Sequence, residues 1–173
     1  MKKTISLLFF ALFACGVFAQ DNNEAVNTNK WIDTYSGLNA AKDWNGMLSK
    51  LAECRAEVPN WEFVDYYEGV ANFNLKNYQK AVDALTSFIQ KNQSTPAAFL
   101  YRGNAYLEMK EPIFAIKDYD EYLKATPNDI PTMLSKAQAR LITKDYANYI
   151  TDLTAVLAID PKNSDALYYK AYC

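Results

Sequence analysis

The sequence predicts an all-α protein built by repetition, a stack of helix-turn-helix units. Three observations predict it. Residue types recur at a step of 34 over nearly all of the chain beyond residue 28. Within each repeat the apolar residues follow a period of about 3.6, that of amphipathic helices, not the alternation of strands. The chain spends only 5 Gly and 6 Pro over 173 residues, too few for the many tight turns of a sandwich or barrel.

The repeat is plainest at Lys42-Asp43, Lys76-Asn77, Lys110-Glu111 and Lys144-Asp145, each 34 residues from the next. Each pair precedes Trp44, Tyr78, Pro112 or Tyr146. Gly69, Gly103, Ala137 and Ala171 form one small-residue column; Gly37, Ala71, Ala105 and Ala139 form another. Leu51, Leu85, Tyr119 and Leu153 are a large apolar column, and Leu48, Val82, Ile116 and Ile150 an aliphatic one. Pro59, Pro127 and Pro161 close three repeats, with Gln93 in the same slot of the second. The units are 28–61, 62–95, 96–129 and 130–163, with a partial one at 164–173.

The columns require two close antiparallel helices per unit. Small residues let the backbones approach, and large ones fill the space beside them. The period places the first (A) helices near 29–41, 63–75, 97–109 and 131–143, and the second (B) helices near 45–57, 79–91, 113–125 and 147–159. The Lys-Asp type pairs sit in the A–B turns. Proline ends three of the B helices, while Pro112 and Pro131 fit the first turn of a helix, where the missing N–H has no partner anyway. One unit cannot bury its own apolar face, so neighbours must stack, and about three are needed for a stable core.

These columns resemble the tetratricopeptide repeat (TPR) family, whose pattern is W-x2-L-G-x2-Y, A-x3-F and a closing Pro. Unit three matches best, with Phe99, Gly103-x2-Tyr106, Ala115-x3-Tyr119 and Pro127. Unit two keeps Gly69, Ala81 and Leu85 but has Asn72 for the tyrosine. Unit one keeps Trp31, Leu51 and Pro59, with Tyr35 and Met47 at small positions; unit four has Ala137 for the glycine and Tyr149 for the small alanine. The resemblance spans residues 29–173 and implies a right-handed α-solenoid whose A helices line a concave groove. That groove implies a non-enzymatic scaffold for a protein or peptide partner. The groove positions are Tyr66, Tyr67, Val70, Phe73 and Asn74, then Leu100, Tyr101, Asn104, Leu107 and Glu108, then Leu134, Ser135, Gln138 and Leu141. Rings supply contact area, and Asn or Gln can pair with a peptide backbone. The site residues expected on this basis are Tyr66, Tyr67, Val70, Tyr101, Asn104, Glu108, Ser135 and Gln138. The large apolar members also fit simple helix packing. The lysine slots with which some members grip a C-terminal carboxylate hold Ile32, Tyr66 and Leu100 here, which argues against that ligand.

Histidine is absent, which excludes Ser-His-Asp and Cys-His nucleophiles and His-ligated zinc. Net charge is −2, so no basic face invites nucleic acid. No phosphate loop, dinucleotide fingerprint or metal-spaced cysteine set occurs, and no catalytic residue, metal or cofactor is expected. An enzyme or glycan-processing accessory would need paired carboxylates such as Glu68 and Glu108, whose columns face solvent or the groove edge. Asp118-x-Asp120-Glu121 reads as a solvated acidic face.

The first 19 residues read as a secretory signal peptide: Lys2 and Lys3, the apolar run Ile5 to Val17, and Ala19 before the cut. Leu12-Phe13-Ala14-Cys15 offers a second route, a bacterial lipobox with Cys15 lipidated and the mature chain membrane-anchored. Either way the protein is exported, periplasmic or secreted. Loss of two lysines and no acids leaves 16 basic and 20 acidic residues. Residues 20–28 read as a flexible polar lead-in. Cys54 fits a buried apolar face. At the other end Ser164 reads as an N-cap, and Leu167, Tyr168, Tyr169 and Tyr172 form an apolar face suited to a short cap, to a second copy, or to another protein.

Overall fold

The structure is a computed structural model that describes residues 25–171, all helix and turn, in two compact units, residues 1–64 and residues 65–173. The expected signal peptide, Cys15, Tyr172 and Cys173 lie outside the described residues.

In the first unit, α1 is helical over residues 25–40, followed by α2 (Trp44–Ser49) and α3 (Leu51–Glu57). Residues 25–28, expected in the flexible lead-in, are helical: nothing from Ala25 to Thr28 breaks a helix that Trp31 and Tyr35 anchor. Both rings are fully buried and lie 5.8 Å apart. Met47 and Cys54 are buried on the facing helices, so the large residues at small positions are absorbed into this core. Burial pushes the Cys54 thiol up to about 11, the mark of an inert packing cysteine. At the edge of the unit Glu57 accepts from Lys30 Nζ at 2.9 Å and from Trp31 Nε1 at 3.0 Å. The Lys30 ammonium holds the Glu57 carboxyl below its usual range.

The expected single B helix is broken at Lys50. Ser49 Oγ donates to the Gly46 carbonyl at 2.8 Å, the acceptor that a regular helix would offer to the Lys50 N–H. That N–H turns to the Met47 carbonyl at 3.3 Å instead. A serine side chain competing with the ladder is sufficient cause.

The second unit runs from α4 (Phe63–Asn74), whose first turn crosses the boundary, through α5 (Tyr78–Lys91), α6 (Pro96–Glu108), α7 (Pro112–Ala125), α8 (Ile130–Ile142) and α9 (Tyr146–Ile159) to α10 (Ser164–Ala171). Each begins and ends within about a residue of its expected bound. Successive helices from α5 to α10 pack in pairs, and α6 also touches α8, so the A helices share a layer. The small columns are where the pairs close: Ala71, Ala105 and Ala139 are fully buried, as is Ala115 on α7. Pro112 opens α7 at its first position and Pro131 sits in the first turn of α8, as expected. α10 is capped by Asn163, whose Oδ1 accepts from the Ala166 N–H at 3.0 Å; Ser164 is already the first helical residue.

The lysine column has a specific conformation. Lys42, Lys76, Lys110 and Lys144 all have positive φ, from 55° to 65°. Each A helix ends in a Schellman motif: Lys110 N–H bonds to Leu107 O at 3.1 Å and Glu111 N–H to Tyr106 O at 2.8 Å, with the same pattern at the other three turns. Glycine normally fills this slot, and a residue with a Cβ is strained there by about 1 kcal/mol. Lys110→Gly is therefore expected to stabilise the protein by about 0.5–1 kcal/mol. The same change at Lys117, exposed in the middle of α7, should cost about 1 kcal/mol. Denaturant midpoints at constant slope distinguish the two.

Candidate functional site

The groove positions of α4, α6 and α8 carry a run of rings at one end and amides at the other. On α4, Tyr66 is half-buried, stacked edge-on against Tyr67 at 5.4 Å and Tyr101 at 6.3 Å, and tilted over Phe88 at 5.4 Å. Burial, with Tyr101 and Tyr67 alongside, pushes its phenol up to about 12. Phe73 meets both Tyr101, at 5.6 Å, and Tyr78, at 5.9 Å. Tyr66, Tyr67 and Tyr101 are thus held in one aromatic cluster, each partly open to solvent. Val70 is not in the exposed set: at 2% exposure it is core between the helices, because the ring of residues around it closes over a short side chain.

On α6, Asn104 is fixed from behind. Tyr119, fully buried on α7, donates its hydroxyl to Asn104 Oδ1 at 2.8 Å. That bond uses the acceptor of the carboxamide and leaves its two N–H groups to donate. Burial raises the Tyr119 phenol, so it stays a donor. Glu108 is exposed at the end of α6 beside Tyr78, whose phenol is raised first by burial and then by the Glu108 carboxylate.

On α8, Gln138 is exposed, while Ser135 Oγ is committed to the Pro131 carbonyl at 3.0 Å. Leu134, Gln138 and Leu141 line a cavity of about 140 Å³ with Tyr149 of α9 and Tyr169 of α10. Tyr149 stands where unit three has Ala115, and it is buried in the α8–α9 core with Met133, Leu153 and Val156. The sequence reading missed this cavity, although Tyr169 lies 34 residues beyond Ser135 and 68 beyond Tyr101, in a groove column.

It also misread the acidic cluster. Asp118 is 4% exposed, not solvated, and binds Arg102 through both carboxylate oxygens at 2.7 and 2.8 Å. Arg102 also reaches Thr86 Oγ1, 16 residues back, at 3.1 Å. One repeat on, Lys136 reaches Asp120, 16 back, at 3.1 Å and Asp152, 16 forward, at 3.2 Å. Arg140 adds a 2.7 Å contact to Asp152 and a 3.0 Å contact to Asp145. A cation on each A helix therefore bridges the preceding B helix and its own. Asp65 lies instead in the slot of the first aromatic and accepts from Ser87 and Lys91, both at 2.9 Å. The signal was present as two 34-step columns, Arg102/Lys136/Lys170 and Asp118/Asp152.

Among the described residues no helix is long and apolar enough to cross a membrane, and no group of His, Cys, Asp and Glu could hold a metal ion. What the surface offers is rings, amides and an apolar cavity, a chemistry of contact.

Helical hairpins at a 34-residue step, closed by small residues and stacked in register, make this chain a tetratricopeptide-repeat protein. No family model matches the sequence. Human Tetratricopeptide repeat protein 21B is 34% identical over 127 residues, which are 72% of this chain and 9% of that protein. The chain therefore spans about a tenth of the length of the curated relatives it matches. Among solved structures, MamA from Desulfovibrio magneticus superposes with a TM-score of 0.75 at 17% identity, over 84% of this chain and 82% of that one. YrrB, described as a TPR protein with an unusual peptide-binding site, gives 0.74 at 15% identity, over 82% and 73%. The TPR2B domain of yeast Sti1, solved in complex with pHsp70, gives 0.54 at 25% identity, over 64% and 95%.

Proposed function

We propose that this protein is a non-enzymatic scaffold, exported from the cytoplasm, that holds an extended, uncharged and apolar-rich segment of a partner protein. The observation that carries the reading is the composition of the groove positions from Tyr66 to Leu141. They contain rings, aliphatic residues and amides, one acid, Glu108, and no lysine or arginine. Such a surface recognises apolar side chains by area and the peptide backbone by Asn104 and Gln138. It has nothing to neutralise a carboxylate tail. Peptide binding by structural neighbours such as YrrB and the Sti1 domain supports the class of ligand. Residues 1–19 support export, by signal peptidase at Ala19 or by lipidation at Cys15.

The test is a random peptide library panned on the full chain. Enriched sequences should be rich in aromatic and aliphatic residues, and capture should fall about tenfold or more in Tyr101→Ser/Gln138→Ala. Tyr101 and Gln138 are both at least partly exposed, so the pair leaves the fold intact. Enrichment of acidic C termini, or capture indifferent to both substitutions, overturns the reading. The mass of the mature N terminus tests the export route: Gln20 first, or a lipidated Cys15.

A further inference from the structure

The contacts between A and B helices define what is absent from the outer face of α10. In the other repeats of the second unit, the small residue at this column is covered by its own B helix. Ala137 is 1% exposed, in one cluster with Leu153, and a Cβ on Gly103 would meet the ring of Tyr119 at 3.0 Å. The cation one residue earlier is covered too: the side chains of Arg102 and Lys136 are 16% and 14% exposed. At α10 the same two positions, Lys170 and Ala171, are both exposed. Leu167 is 49% exposed, where its counterpart Met133 is 8%. Ala166, on the opposite side, is fully buried against α9.

Lys170 also makes half of the bridge. Its ammonium donates to Thr154 Oγ1, 16 residues back, at 3.1 Å, as Arg102 does to Thr86 and Lys136 to Asp120. The forward half, which Arg102 completes with Asp118 and Lys136 with Asp152, has no counterpart at Lys170 among the described residues.

We propose that this face of α10 docks an amphipathic helix of a partner protein that carries an acidic residue followed directly by a large apolar one. The acid closes the bridge from Lys170, and the apolar residue covers Ala171, as Asp118-Tyr119 and Asp152-Leu153 do within the chain. The three aromatic and aliphatic residues Leu167, Tyr168 and Tyr169 give the helix its apolar bed. This surface is separate from the ring cluster of α4 and α6, and the two are tested independently.

The probe is a lactam-stapled, fluorescent peptide with the sequence of residues 145–159, which carries the Asp152-Leu153 step; stapling supplies the helicity that a free peptide of this length lacks. Titrated into the full chain and followed by anisotropy, it should bind saturably. Lys170→Glu in the chain should weaken it about tenfold or more, and Asp152→Lys in the peptide should restore binding to that variant. Circular dichroism confirms that Lys170→Glu, at an exposed site, leaves the fold unchanged. Absence of saturable binding, binding indifferent to Lys170→Glu, or failure of the crossed pair to recover overturns the proposal. So does a chain that light scattering shows to dimerise, and that Leu167→Asp returns to monomer, because a second copy then owns the face.

Discussion

Asp118→Ala is expected to destabilise the protein by about 3–5 kcal/mol, among the largest effects of any single substitution in it. The reason is burial. The Asp118 side chain is 5% exposed and that of Arg102 is 16% exposed, and the two meet in a bidentate fork. Removing the carboxylate leaves a guanidinium desolvated between α6 and α7 with only Thr86 to accept from it. Burial raises the Asp118 carboxyl, and the Arg102 fork pulls it back without cancelling that rise. Arg102 itself is raised, because for the guanidinium the pairing outweighs burial. The two directions agree on one point: the carboxylate is charged at a net desolvation cost, so the pair is worth much less than either half left alone. Arg102→Met/Asp118→Leu should therefore recover most of the loss, and a double-mutant cycle in urea reads the coupling. Asp152→Ala should cost less than Asp118→Ala, because Lys136 keeps Asp120 and Arg140 keeps Asp145. Glu121→Ala, on an exposed pair with Lys124, should change stability by well under about 1 kcal/mol. If the Asp118 and Glu121 variants were equally stable, the bridge would carry no weight in the fold.

This ladder also shows where the sequence stops being legible. The helices of the second unit could be placed to about a residue because three independent signals coincide in every repeat: apolar period, small column and turn pair. Charges carry no such redundancy. Arg102 and Lys136 sit on helix faces that a period of about 3.6 assigns to solvent, and Asp118 stands next to Tyr119, itself fully buried. Burial of an ion pair depends on a partner 16 residues away on another helix, and only the step of 34 reveals that Arg102 and Lys136, or Asp118 and Asp152, are one position repeated. The same limit applies to the site. Tyr66, Tyr67 and Tyr101 were legible as a ring column, but Val70 in the same set is core, because period alone does not say how far neighbouring rings close over a small side chain. The cavity at Gln138 depends on Tyr149 and Tyr169 arriving from two further helices. Breaks such as Lys50 turn on a single hydroxyl, Ser49, that other sequences hold in an unbroken helix.

Gly69→Val should cost about 3 kcal/mol, because a Cβ placed on Gly69 collides with Leu85 Cγ and lies 2.8 Å from Leu85 Cδ2. Leu85 is fully buried on α5 and has no open space to yield into. Even Gly69→Ala, which gains about 1 kcal/mol of helix propensity, should be destabilising on balance. Gly37 is the matched comparison. It too is a helical glycine in a small-residue column, but it is exposed and a Cβ there meets nothing within 4 Å. Gly37→Ala is expected to stabilise by about 0.5–1 kcal/mol, the propensity term alone. Opposite signs in thermal or urea unfolding separate a glycine kept for contact from one that merely shares the column. The effect at Gly69 also has an internal check. Leu85→Ala alone opens a cavity and should cost about 2–5 kcal/mol, whereas Gly69→Val/Leu85→Ala restores volume from the opposite helix and should lose markedly less than the two changes summed. Simple additivity at this pair, or the same sign at Gly37 and Gly69, would mean that the small residues are not what brings the helices together, and the register of the whole stack would need another cause.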